Sequence, residues 1–270
     1  MIRSLILLTI IFSVLCSYKI VAERKPYFSK RTEAMSNNKE NVWVFIMAGQ
    51  SNMAGRGIVE PEDTVSDKRI FSINKDGQII IAKEPLHFYE PERTGLDCGL
   101  SFAKTLITKI PDSISILIIP TAVGGSSISQ WLGDSVFRNV KLFSNFLSKL
   151  EIAKHNGIIK GILWHQGESD ANEKNIPLHK ERLHSLFSKF RSAIGNNELP
   201  VLFGELGSFS NNPAGFNLIN KTLHDYAAED KNSRVISTKD LKDKGDQLHF
   251  DSEGQRTMGK RFANAYLSMH

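Results

Sequence analysis

A serine, a histidine and an aspartate stand where they could share one piece of nucleophilic chemistry. Ser51 lies in Gly49-Gln50-Ser51-Asn52-Met53, directly after the apolar run Val42 to Met47. A serine at a tight strand-to-helix turn presents its hydroxyl at the top of a sheet, with backbone N–H groups nearby where an oxyanion would form. The pentapeptide lacks the Gly-x-Ser-x-Gly form of a nucleophile elbow, and serine is equally the residue type of a helix N-cap. Near the C-terminus stands Asp246-Gln247-Leu248-His249. A serine nucleophile needs a base, and the base needs a carboxylate that fixes its tautomer and stabilises the imidazolium. Three residues of separation in a loop let Asp246 reach the ring nitrogen that His249 does not turn toward serine. The competing role is local: Asp251 or Ser252 starts a helix, and His249 merely precedes it.

Two further segments supply donors. His165-Gln166-Gly167-Glu168-Ser169-Asp170 runs off the apolar stretch 158–164, which places the Gln166 amide where it can donate into a cleft. His165 and Glu168 lack the His-Glu-x-x-His spacing of a zinc helix, so a metal is the weaker reading. Ala122-Val123-Gly124-Gly125-Ser126-Ser127 follows another apolar stretch, and its paired glycines can turn backbone N–H groups toward an anion. No Gly-Lys-Ser/Thr phosphate loop is present. Trp131 could stack on a sugar, although a core position suits it better.

The elements that must hold these residues alternate. Short apolar runs predict strands over Val42 to Met47, Ile114 to Ile119, Ile158 to Trp164, Val201 to Leu206 and Arg234 to Ser237. Helical spacing predicts helices over Gly99 to Ile110, Val136 to His155, Pro177 to Ile194, Phe216 to Ala228 and Ser252 to Leu267. Such alternation specifies a parallel sheet with helices on both faces. Arg69 to Ile73 and Gln78 to Ala82 flank Asn74-Lys75-Asp76-Gly77, which predicts a β-hairpin. Glu84 to Cys98 and Ser208 to Gly215 read as surface loops, and open α/β sheets bind ligands among the loops at the carboxyl ends of their strands.

Hydrophobic residues at 41% and charged residues at 23% exclude a collagen-like, mainly disordered or disulfide-scaffold chain. Arg3, the apolar run Leu5 to Cys16 broken by Thr9 and Ser13, and the small-residue site at Ile20-Val21-Ala22 form the pattern of a signal peptide over residues 1–22. That predicts a secreted or periplasmic protein; Cys16 as a lipid-anchor cysteine is the lesser alternative. Residues 23–40 are polar and aperiodic, which predicts a flexible leader before one domain over 41–270. Cutting after Ala22 leaves 32 basic and 29 acidic residues, a net +3 that implies no nucleic-acid partner, and Cys98 as the one cysteine. No stretch is long enough to span a membrane in the mature chain.

Taken together, the four blocks resemble the SGNH-type hydrolases, and more closely the branch of sialate O-acetylesterases and acetylxylan esterases called carbohydrate esterase family six. The matching motifs are Gly49 to Met53, Gly124 to Ser127 with Trp131, His165 to Asp170, and Asp246-x-x-His249, in the family's order across about 200 of 270 residues. The resemblance implies a three-layer α/β/α fold with a central parallel sheet and hydrolysis of acetyl esters on carbohydrate, without a cofactor. By position it implies Ser51 as nucleophile, His249 as base and then acid, and Asp246 as orienting carboxylate. Its oxyanion donors would be the Ser51 N–H, a backbone N–H of Gly124 or Gly125, and the Gln166 side chain, with Glu168 bracing the turn. The other classes are a serine esterase for a non-carbohydrate ester and a non-catalytic carbohydrate-binding protein of the same fold. Polar loops, including Asn211-Asn212, favour a sugar over a lipid.

Overall fold

The computed structural model describes residues 38–269. The predicted signal peptide and the leader up to residue 37 lie outside the described residues; Lys39–Asn41, where the predicted leader meets the domain, forms a 3-10 turn that enters the first strand.

Strand β1 (Val42–Gly49) shows how one sequence serves two layers. Its side chains alternate across the sheet, so Val44, Ile46 and Ala48 join one apolar cluster while Phe45 and Met47 join the other. Both faces are covered, which is why the strand reads as a continuous apolar run rather than an alternating one. Around it lie β2 (Ile70–Ile73), β3 (Ile79–Ile81), β4 (Ser115–Pro120), β7 (Ile158–His165), β8 (Val201–Gly204) and β9 (Ser233–Ile236). The order is β3-β2-β4-β1-β7-β8-β9, and every pairing is parallel except β2 with β3. The antiparallel pair is the hairpin predicted around Asp76-Gly77.

Helices α2 (Gly99–Ile107) and α7 (Ser252–Leu267) cover one face through Phe102, Phe262 and Tyr266. They approach closely because Gly259 has no side chain; a Cβ there would lie 2.4 Å from the Cys98 carbonyl oxygen. Helices α4 (Leu142–Asn156), α5 (Ile176–Ile194) and α6 (Pro213–Glu229) cover the other through Phe146, Phe187, Phe190 and Leu223. Each such aromatic contributes about 1.5–3 kcal/mol by leaving water. The result is the expected three-layer α/β/α arrangement. Among the described residues, no helix is long and apolar enough to cross a membrane.

Three local expectations are corrected. The segment predicted as a helix from Val136 instead begins with a hairpin, β5 (Val136–Phe137) and β6 (Val140–Lys141), because Arg138 and Asn139 both take positive φ, at 47° and 62°, as a tight two-residue turn demands. Residues 213–215, predicted as loop, are the first turn of α6, since Asn212 caps it by accepting the Gly215 N–H at 3.1 Å and Pro213 suits the first helical position. The stretch from Glu84 to Cys98 is a loop that reaches the surface only in part, at Pro85 and at Pro91 to Arg93. Its polar residues Glu84, His87, Glu90 and Asp97 are buried, with His87 Nδ1 bonded to Asp97 at 2.8 Å and Glu84 accepting the Leu86 N–H at 3.2 Å. Trp131, in the short helix α3 (Ile128–Leu132), is a core residue packed on Trp164 and Phe190.

Candidate active site

Strands β1, β4 and β7 are neighbours, so the segments leaving their carboxyl ends meet. The β1 and β7 ends meet very closely at Gly49, whose φ is +133° and whose Cβ, if it had one, would sit 2.1 Å from the His165 carbonyl oxygen. That oxygen accepts the Gln50 N–H at 2.9 Å. Gln50 is therefore the cap position of the four-residue helix α1 (Ser51–Ala54), and Ser51 is its first residue. The N-cap reading of Ser51 falls away, and its hydroxyl is free for other work.

That hydroxyl meets His249, whose Nε2 lies 3.0 Å from Ser51 Oγ. On the other side of the ring, Nδ1 lies 2.7 Å from Asp246 Oδ2. Asp246 Oδ1 accepts two backbone N–H groups, from Leu248 at 3.1 Å and His249 at 2.8 Å, and the positive φ of Gln247 (56°) folds the loop tightly enough to allow this. Partial burial works to raise the Asp246 pKa, but the hydrogen bonds from the His249 ring and backbone outweigh it and hold the carboxyl below its ordinary range. The helix-capping role considered for this segment belongs to Asp251, which accepts the Gly254 N–H at 2.7 Å.

Asn52 ties the three segments together. Its Nδ2 donates to Glu168 Oε1 at 2.6 Å and to the Leu248 carbonyl at 3.1 Å, while its Oδ1 accepts the Phe250 N–H at 3.1 Å. Glu168 thus reaches the Ser51 turn through Asn52. Asn52 was not among the expected site residues, although it adjoins Ser51 in the same motif. His165 Nδ1 lies 3.6 Å from Glu168 Oε1, and among the described residues no three His, Cys, Asp or Glu side chains are grouped to hold a metal ion.

The two glycines separate cleanly. The Gly124 N–H is consumed by Glu90 Oε2 at 2.6 Å, a carboxylate that also pairs with Arg56 at 2.8 Å. The Gly125 N–H meets no acceptor among the described residues. Arg138 Nε holds the Gly124 carbonyl at 2.8 Å, and because that carbonyl and the Gly125 N–H share one planar trans peptide, the N–H points the opposite way. Gly125 has φ +84°, a conformation that glycine takes without strain.

Gln166 departs from expectation. It is wholly buried, and its Nε2 faces Asp170 Oδ2 at 2.6 Å, Gln50 Oε1 at 3.2 Å and the Ser126 carbonyl at 3.3 Å. An amide has two hydrogens, and both are spent on protein acceptors, so Gln166 does not line the cleft. The cleft, of about 260 Å³, is lined instead by Gln50, Ser51, Gly124, Gly125, Glu168 and His249, together with Arg93 and Arg138.

A doubly covered, mostly parallel sheet with a serine after its first strand and a histidine before its last helix is the three-layer α/β/α arrangement that the family resemblance implied. Residues 41–268 match the family model described as carbohydrate esterase, sialic acid-specific acetylesterase. The chain is 29% identical over 245 residues to a probable carbohydrate esterase of Arabidopsis thaliana, covering 83% of this chain and 90% of that one. An X-ray structure of an Arabidopsis thaliana protein superposes with a TM-score of 0.74 at 26% identity, over 85% of this chain and 98% of that one. The crystal structure of NanS gives a TM-score of 0.69 at 19% identity over the same shares, a likeness of fold. The chain belongs to this carbohydrate esterase family and is an ester hydrolase of that kind.

Proposed function

We propose that this protein is a secreted or periplasmic carbohydrate O-acetylesterase that works through a Ser51–His249–Asp246 triad and an acetyl-enzyme. The observation that carries the reading is the unbroken chain of hydrogen bonds from Ser51 Oγ through the His249 ring to Asp246, at 3.0 and 2.7 Å. His249 Nε2 takes the Ser51 proton as Oγ attacks the acetyl carbonyl. Asp246 keeps the other ring proton on Nδ1 and balances the imidazolium. The negative charge that develops on the carbonyl oxygen is met by the Ser51 and Gly125 N–H groups, from two residues that line the cleft. The imidazolium then protonates the departing sugar oxygen, and water repeats the sequence to release acetate. No step calls for a cofactor.

A cleft of this volume sits just below the range of roughly 300–1,000 Å³ that encloses drug-sized ligands, so it suits the acetylated end of a glycan. Acetate release from a panel of acetylated glycans, sialic acids and xylan among them, identifies the substrate. Ser51→Ala should abolish that release with an unchanged melting curve, since triad members are worth several orders of magnitude in rate. Near wild-type turnover in a folded Ser51→Ala protein refutes the nucleophile assignment.

A further inference from the structure

Turning Gln166 away from the cleft leaves the oxyanion one donor short of the three expected. We propose that the missing donor is the side-chain amide of Gln50, with Gln166 behind it as a positioning residue; this rests on the Ser51 acyl-enzyme reading above.

The orientation of both amides follows from the groups around them. Asp170 Oδ2 lies 2.6 Å from Gln166 Nε2, and a reversed Gln166 amide would set its oxygen against that carboxylate. Asp170 Oδ2 is itself held by the Ile128 N–H at 2.8 Å. With Gln166 fixed, its Nε2 presents a hydrogen to Gln50 Oε1 at 3.2 Å, and the Ser169 N–H presents another at 3.3 Å. A reversed Gln50 amide would oppose N–H to two N–H groups. Gln50 Oε1 is therefore committed, and Nε2 must face the other way.

Nothing in the protein receives it. Among the described residues Gln50 Nε2 meets no acceptor, and it is not one of the polar atoms sealed from solvent without a partner. The residue is only 3% exposed, yet it lines the same cleft as Ser51, Gly125 and His249. A fixed amide with both hydrogens unclaimed, one residue from the nucleophile, is a donor built in advance of the charge it meets, which is how such groups lower a barrier. A donor that instead bound the substrate's ground state would act on KM rather than on kcat.

The test is steady-state kinetics on a small acetate ester with Gln50→Ala, Gln50→Glu and Ser51→Ala, each checked for fold by circular dichroism. Gln50→Ala should lower kcat by roughly a hundred- to a thousand-fold with KM within a few-fold of wild type. Gln50→Glu keeps an acceptor for Gln166 and Ser169, so it decides the matter if the alanine variant does not fold, and it should be at least as slow. Gln166→Ala should slow the wild type but cost nothing further in a Gln50→Ala background, because the two act through one group. Either Gln50 variant retaining more than about a tenth of wild-type kcat, or a loss confined to KM, overturns the proposal, given the size expected of one donor. Losses that multiply in the double variant also overturn it. Ser51→Ala separates the failures: an active Ser51→Ala protein sinks the serine reading itself, whereas an inactive one beside active Gln50 variants sinks Gln50 alone.

Discussion

Replacing Asp246 by Asn probes the proposed mechanism at its most exposed joint. The Asn oxygen can keep the Leu248 and His249 backbone N–H groups that Oδ1 now accepts, so the loop should hold its shape. The amide nitrogen then faces His249 Nδ1, where it donates and demands an unprotonated Nδ1. The ring proton moves to Nε2, and a protonated Nε2 cannot take one from Ser51. Restoring the reactive tautomer sacrifices a hydrogen bond of about 1–1.5 kcal/mol, and the transition state loses a charge-assisted bond of about 1.5–3 kcal/mol. Together these raise the barrier by roughly 3–4 kcal/mol, or two to three orders of magnitude in rate. The Asp246 side chain is 38% exposed and Lys244 Nζ lies 3.7 Å from it, so solvent and a neighbouring cation already share its field and the loss belongs at the lower end. The assay is kcat/KM for a small acetate ester across pH 5–9, beside a melting curve. A folded Asp246→Asn enzyme within threefold of wild type refutes the reasoning and transfers the orienting role to another carboxylate. In the wild type the Asp246 carboxyl should stay ionised across that pH range, because its hydrogen bonds hold it below its ordinary value.

Gln166→Glu should destabilise the fold, because it sets a second carboxylate where the amide now meets Asp170 at 2.6 Å, and burial already raises the Asp170 pKa. The loss should grow between pH 5 and 8 as any shared proton departs; a variant as stable as wild type at pH 8 contradicts this. His179 is buried, with Nδ1 on Thr222 Oγ1 at 2.6 Å and Nε2 unpartnered, and burial, aided by Arg182, pushes its pKa from 6.5 down to about 4. The unfolded chain therefore takes up that proton first, and stability complete above about pH 6.5 is lost as pH falls toward 4. Between pH 7 and 5 the wild type should lose about 2 kcal/mol more than His179→Leu in urea unfolding; parallel losses in the two proteins refute the assignment.

The alternation of strand and helix was legible because burial on both faces leaves continuous apolar runs, as in Val44 to Ala48. Ser51, Asp246 and His249 were legible as candidates because each sits in a short segment whose spacing survives in one dimension, and the structure brings their side chains within hydrogen-bond distance. What escaped depended on partners far away in the chain. Gln166 and Gln50 carry the same amide, and what distinguishes them is Asp170, which claims one and leaves the other open. Gly124 and Gly125 likewise differ through Glu90, drawn from a stretch whose polarity suggested a surface loop. Glu84, His87 and Asp97 of that stretch can be buried because acid, histidine and nearby backbone N–H groups satisfy one another, a pairing that composition does not reveal. The β5–β6 turn was missed because Arg138 holds a left-handed conformation with no glycine to announce it.

Ser51 and His249 are separated by 198 residues and are joined only when the last helix docks through Gly259 onto α2. The serine half of the site hangs on the first strand, the histidine half on the connection into the final helix. On the proposed mechanism, any partly folded species in which α7 has detached keeps its serine but has no group to deprotonate it. Partial opening is therefore silent in an activity assay, and recovered turnover during refolding counts only molecules that have completed their longest-range closure.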